Sequence, residues 1–355
     1  MKNNYIIILC LFLLVSCLKD EPFKLNYTSS QPIENYDDWQ ISTPQQENIN
    51  TQLLGKAYQL VYEDSRFKMA TSLLVFRNGK LIAEAYPRDK NDIDKLANIQ
   101  SCTKSITSIL MGNALQNNII HSIDEKLYSI YPTHFDEDIT KRDITISSAL
   151  TMQTGLEYNN SEHTLDLYRT SQNSVEYILS FTKKYPTGLI MNYNDGAPHL
   201  ISKVIETKSG KKLHEYAEQN LFSKLNINQW KWETAKDGTT FGAFSLFLKP
   251  RDLGKIGKLL IQNGNWKNEQ LIDSTYLKAA TTTQVSANSN NEPYGYYFWI
   301  LPAWNAYYAD GHGGQFLLVV PDKNLVVVYT AWGYTDRIFW DKGNELMSLL
   351  INSCE

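Results

Sequence analysis

Residues 72–86 read SLLVFRNGKLIAEAY, two β-rich runs on either side of Asn78-Gly79. Both central positions of a tight hairpin turn need positive φ, which Asn-Gly supplies, so Ser72–Phe76 and Lys80–Tyr86 are expected to pair as antiparallel strands. A lone hairpin is marginal in water. Its partners lie at the far end of the chain: YGYYFWIL (294–301), NAYYAD (305–310), QFLLVVP (315–321) and NLVVVYTAW (324–332) are short, aromatic and β-branched, and turn residues separate them. Between the two groups the apolar spacing is helical, over Ser101–Gln116, Ser174–Phe181, Ala197–Thr207, Leu213–Leu221, Arg251–Gln262 and Ser274–Thr281. Helical spacing also covers Gln46–Glu63 and a closing segment near Gly343–Ile351. The expected fold is α/β (α+β): one antiparallel sheet built from both chain ends, with terminal helices on one face and a mostly helical lobe, about 111–283, packed beside it.

The chain of 355 residues is long enough for a composite domain, read as 46–353. Thirty-four basic against 38 acidic residues argue against a nucleic-acid binder. At the N-terminus, Tyr5–Val15 is an apolar run of signal-peptide length behind Lys2, and it ends in Leu14-Val15-Ser16-Cys17, which resembles the lipobox of bacterial lipoproteins. On that resemblance residues 1–16 are a removed signal, Cys17 carries the lipid, and residues 17–45, polar and without period, form a tether. The protein is then expected in the bacterial envelope, held on a membrane through Cys17 and facing the periplasm or the surface. Cys102 and Cys354 remain as thiols, and the sequence does not say whether they pair. No paired-His, C-x-x-C or H-E-x-x-H spacing suggests a metal.

Three short strings can carry chemistry. Ser101-Cys102-Thr103-Lys104 has the S-x-x-K spacing, but so do Ser16–Lys19, Ser65–Lys68, Ser180–Lys183 and Ser209–Lys212. Only Ser101 opens a helical run with apolar residues at Ile106, Ile109, Leu110 and Ala114. There a serine sits at the positive end of the helix dipole, with Lys104 one turn on along the same face. A desolvated lysine loses pKa and can accept the serine's proton, yet an N-cap serine and a surface lysine would satisfy the same letters. Tyr193-Asn194-Asp195 precedes another apolar helix; a phenol near cations has a lowered pKa and can act as base. Tyr158-Asn159-Asn160 rivals it. Gly311-His312-Gly313-Gly314-Gln315 opens a strand, where glycines let the backbone approach a ligand and present NH groups to an oxyanion, although a plain strand-connecting turn has the same composition.

Taken in order, Ser101-x-x-Lys104, Tyr193-x-Asp195 and His312-x-Gly314 resemble the three motifs of the serine hydrolases related to class C β-lactamases and penicillin-binding proteins. ITISSALTMQTGLEY (144–158), the segment 186–222 and LKPRDLGKIGKLLIQNGNW (248–266) are similar to further segments of that family, so the resemblance spans roughly residues 49–348. In the family's order Tyr158 falls after the S-G-L-like segment, which favours Tyr193 as the base. The resemblance implies attack by Ser101 on a carbonyl, proton transfer through Lys104 and Tyr193, an oxyanion between the NH groups of Ser101 and Gln315, and hydrolysis of the acyl-enzyme without metal or organic cofactor.

Two departures bear on substrate. His312-Gly313-Gly314 stands where β-lactamases carry Lys-Thr-Gly, removing a permanent positive charge. Asp195 stands where the family usually has Asn, and a carboxylate facing substrate would repel anions. Both point to a small ester, amide or peptide substrate, as in aminohexanoate-dimer hydrolases, rather than to β-lactams. The alternatives are a true β-lactamase or D,D-peptidase, and a non-catalytic binding protein of the same fold.

Overall fold

The structure, a computed structural model, describes residues 23–135, 138–170, 173–287, 291–333 and 338–354. The hairpin forms as read: β1 (Ala70–Arg77) and β2 (Lys80–Ala85) turn through Asn78 and Gly79, both at positive φ. The C-terminal strands are β3 (Val285–Ala287), β4 (Glu292–Tyr294), β5 (Trp299–Leu301), β6 (Ala306–Gly311), β7 (Gln315–Val320) and β8 (Leu325–Ala331). They join the hairpin in one antiparallel sheet of order β2-β1-β8-β7-β6-β5-β4-β3, with Leu73 opposite Tyr329 and Val75 opposite Val327. YGYYFWIL is not one strand. Its middle is a turn in which Gly295 NH donates to Phe298 O at 2.8 Å and Tyr297 sits at φ 64°, so β4 and β5 flank it.

Alternation along the strands divides the core in two. On one face α1 (Thr51–Glu63) packs beside the C-terminal helix Ile338–Asn352, over Leu73, Val75, Phe316, Leu318, Val327 and Tyr329. The start of α1 is fixed by Asn50, whose side chain accepts from the NH groups of Gln52 and Leu53, which ends the helix short of Gln46. The other face carries α2 (Cys102–Gln116), the helical lobe with α3 (Asn160–Arg169) and α4 (Gly196–Ser209), and α5 (Pro250–Ile261). Gly254 and Gly257 let α5 lie flat on the sheet, because a Cβ at either would collide with Phe76 or Val326. The helix 338–352 completes the chain order as α6.

Helix α2 is buried all round from Cys102 to Ala114, polar residues included. Its hydroxyls and amide are hydrogen-bonded: Ser105 donates to Tyr297 O (2.5 Å), Thr107 to Gly242 O (2.7 Å), and Asn113 to Leu271 O (2.7 Å). This central position fixes Ser101 at its start.

Two expectations change. The tether read over 17–45 is shorter, because residues from 25 onward are docked. Leu25 NH donates to Tyr62 O, Trp39 packs against Phe76, and Ser42 NH donates to Leu81 O. Arg251 clamps the segment: its guanidinium pairs with Glu84 inside the protein, reaches Asp37 at 2.9 Å and donates to Ile33 O at 3.0 Å. The stretch Asn160–Arg169, absent from the helical segments expected from the sequence, is α3, capped by Asn159. Cys102 and Cys354 are both buried and free. The signal and lipid-anchor readings, Cys17 included, lie outside the described residues.

Candidate active site

Ser101 is the residue before α2. It has helical backbone angles and makes no capping bond with its side chain. The hydroxyl is therefore not spent on the helix; its Oγ accepts from Lys104 Nζ at 2.8 Å. The chain reaches it through Gln100 at φ 51°, one of four non-Asn positive-φ residues around the site, with Met152, Ser245 and Tyr297. Such conformations persist only where the surroundings over-determine them.

Lys104 is 1% exposed, and its ammonium meets Ser101 Oγ, Ala243 O at 3.1 Å and Asp195 Oδ1 at 2.6 Å. Burial works to lower the lysine's pKa, but the Asp195 carboxylate and then the Tyr193 phenol reverse this and hold it above the ordinary value. The sequence reading, a lysine made basic by desolvation, thus fails on its partner: Asp195 holds Lys104 as a cation. Tyr193 is half-buried, hydrogen-bonds Ser101 and Lys104, lies with its ring 5.1 Å from the ammonium and stacks on Trp299 at 5.7 Å. Burial raises its phenol; Lys104 pulls the other way and does not win. The expected lowered pKa of the phenol is therefore also reversed, and Tyr193 is a neutral phenol.

Asp195 does not face substrate as expected. Its two oxygens are taken by Lys104 and by the Thr164 hydroxyl, which donates at 2.6 Å, and the residue is 7% exposed. Thr164 and Asn160, whose side chain accepts from Asp195 NH at 2.8 Å, come from α3. The loop before α4 is seated by Met152, whose carbonyl accepts from Asn192 NH. Tyr158 is buried among His163 and Phe181, apart from the serine, so the structure brings Tyr193, not Tyr158, to Ser101.

The glycine turn between β6 and β7 completes the group. Gly311 lies against the segment leading to the serine: a Cβ there would stand 2.5 Å from Ile99 O. His312 at the turn is exposed, and Gly313 and Gly314 have φ of 87° and 90°. Gln315 is fully buried, opposite Gly311 in the ladder; its carboxamide bridges to Ala331 and its carbonyl accepts the Cys102 thiol. Among the described residues, no acceptor engages the backbone NH of Ser101, His312 or Gly313.

One residue missed in the sequence is Asp310, which precedes the turn on β6. It is half-buried, interacts electrostatically with Lys104 and Tyr193, and burial pushes its carboxyl well above the usual range. Nothing in its spacing distinguishes it from a strand-end acid. Among the described residues no group of three His, Cys, Asp or Glu side chains is placed to hold a metal ion.

Similar folds are known. A putative 6-aminohexanoate-dimer hydrolase from Bacillus anthracis superimposes with TM-score 0.73 at 16% identity, covering 93% of this chain and 91% of its own. A class C β-lactamase superimposes with TM-score 0.65 at 14% identity (86% and 97% covered), and an octameric penicillin-binding protein homologue from Pyrococcus abyssi with TM-score 0.64 at 17% (84% and 77%). No curated protein matches the chain. The Beta-lactamase family model matches residues 68–337, from just before β1 to beyond β8, so the chain is a member of the Beta-lactamase family.

Proposed function

We propose that the protein is a serine hydrolase that cleaves an ester or amide of a small substrate through an acyl-enzyme on Ser101. The observation that carries the reading is the uncapped Ser101 hydroxyl, held at 2.8 Å by a buried, ion-paired Lys104 with Tyr193 alongside. Membership of the family supports the class of chemistry.

In this mechanism the Lys104–Tyr193 pair first loses one proton to solvent. Ser101 Oγ then bonds to the carbonyl carbon as its own proton passes to the pair, and the oxyanion rests on the NH groups of Ser101 and Gln315. The pair returns the proton to the leaving group as its bond breaks. Water, deprotonated by Tyr193, hydrolyses the acyl ester and restores Ser101. Asp195 keeps the lysine charged and oriented; it does not touch substrate.

A second reading, a β-lactamase or D,D-peptidase, gains from the burial of Asp195. Its carboxylate is neutralised internally and so does not repel an anionic substrate, which leaves His312 as the one departure weighing against β-lactams. Turnover of nitrocefin as fast as p-nitrophenyl esters by one purified sample would establish this second reading. A fluorophosphonate probe should label wild-type protein and not Ser101→Ala. Failure to label the folded wild type would instead mark a non-catalytic binding protein. The Ser101→Ala melting temperature should be close to wild type, since no cap bond is lost.

We also propose that the mature chain is an envelope lipoprotein anchored through Cys17. Cys17→Ala should move the protein from the membrane fraction to the soluble one, and retention in the membrane would refute the anchor.

A further inference from the structure

A cavity of about 270 Å³ opens between the start of β1, the segment leading into Ser101, the first turn of α5 and the residues that follow β8. Its walls include Leu96, Ala97, Pro250, Ala331 and Gly333, and Trp332 stands at its mouth, 54% exposed. Trp332 has a fixed seat. Its backbone NH donates to Met69 O at 3.0 Å, and the Arg88 guanidinium lies 5.0 Å from its ring centroid.

The polar groups around the cavity are already partnered. The Thr330 hydroxyl is 2.7 Å from that of Thr71 and 2.6 Å from that of Ser72. The Lys95 ammonium is paired with Asp89 and Asp92. What the cavity offers a ligand is therefore apolar surface. Its walls also touch the segment that leads into Ser101. Gly333 lies against the Gln100 carboxamide and the His312 ring, and Asn98, another wall residue, accepts from Gln100 NH at 3.0 Å. Gln100 directly precedes Ser101, so two wall residues, Asn98 and Gly333, touch the residue next to the attacking serine.

We propose that this cavity is a substrate subsite that takes an apolar chain or ring attached to one end of the scissile ester or amide bond. The assignment rests on the hydrolase reading above and names its substrate class. At the ~30 Å³ that a water-sized group occupies in a liquid, the volume holds on the order of nine such groups. Walls without free charge favour a hydrocarbon over an ionised tail.

The test uses two ester series on the folded, full-length mature protein. One lengthens the acyl group from acetate to octanoate on p-nitrophenol; the other keeps acetate and lengthens the alcohol from ethyl to octyl. In the series whose growing end enters the cavity, kcat/KM should rise roughly fourfold per methylene until the cavity is full. Ala97→Trp, which fills the space, should bring the ratio of longest to shortest ester down towards one in that series. Should that variant not fold, Trp332→Ala alters only an exposed side chain and should raise KM for the long esters more than for acetate. Hydrolysis of acetate with both series flat would overturn the subsite and leave the hydrolase reading standing. A steep series that survives both substitutions would do the same. If no ester is hydrolysed, the hydrolase reading fails, and the subsite with it.

Discussion

Asp195→Asn isolates the charge that decides the protonation of the site. The carboxylate and the Lys104 ammonium stand 2.6 Å apart with side chains 9% and 1% exposed, so little water screens them. At that separation Coulomb's law gives about 1.6 kcal/mol with the dielectric constant of water and about 6 kcal/mol with a value near 20. Removing the charge takes away the largest contribution holding the lysine's pKa up, so that pKa falls. Asn keeps the shape, and it is the residue usual at this position in related β-lactamases. The sign follows from the direction of the wild-type shift: Asp195 holds Lys104 up, so without it the neutral, proton-accepting amine appears at lower pH. In the wild type kcat/KM should climb as pH rises above neutral, because the Lys104–Tyr193 pair must shed a proton before it can take one from Ser101. In Asp195→Asn that limb should move toward acid. The assay is p-nitrophenyl acetate hydrolysis from pH 6 to 10, with Ser101→Ala as the blank for spontaneous hydrolysis. Thr164→Val is the control, since it removes the hydrogen bond to the other carboxylate oxygen and leaves the charge. A limb that stays in place in Asp195→Asn, or moves to higher pH, or shifts equally in Thr164→Val, would refute the electrostatic argument.

Tyr193→Phe should lower kcat by two orders of magnitude or more, the usual scale for a proton-transfer group, whereas Tyr158→Phe should stay within a fewfold of wild type; steady-state kinetics on both variants decide. Gly311→Ala sets a Cβ 2.5 Å from Ile99 O and should displace the Ser101 segment, lowering both fluorophosphonate labelling and the melting temperature. His199 is fully buried beside Ser174, and burial lowers its pKa from 6.5 to about 4. The unfolded chain therefore binds the extra proton first, and stability should fall by about 3 kcal/mol between pH 6.5 and pH 4. Urea midpoints across that range should show the slope in wild type and lose it in His199→Gln.

The fold was largely legible because its signals are local. Asn78-Gly79 fixes a turn by its own backbone preference, and the apolar spacing along 101–116 and 251–262 reports helices whichever partners they meet. What escaped reading depends on distant groups. Tyr297 splits an apparent strand because a tertiary setting holds it at positive φ. The segment before residue 50 has no period of its own and is ordered by Arg251, far along the chain. The site follows the same division. Ser101, Lys104, Tyr193 and the glycine turn could be located from order and spacing, but the protonation of Lys104 could not, since the spacing of a lysine says nothing of the carboxylate that will face it. Thr164 and Asn160 stayed hidden because α3 has few apolar residues to mark it as a helix.

The pairing of β1 with β8 also sets an order of events in time. Residues 70–77 are made early and have no partner at the centre of the sheet until residues 325–331 exist, and the glycine turn that seats Ser101 lies just ahead of those residues. A nascent chain therefore carries Ser101 without the surroundings that would arm it. Contacts this far apart in sequence also form slowly, so a chain at that stage is inert as a hydrolase while its hairpin edge stands open to misplaced strands. Competence arrives in one late step, when the C-terminal strands close the sheet.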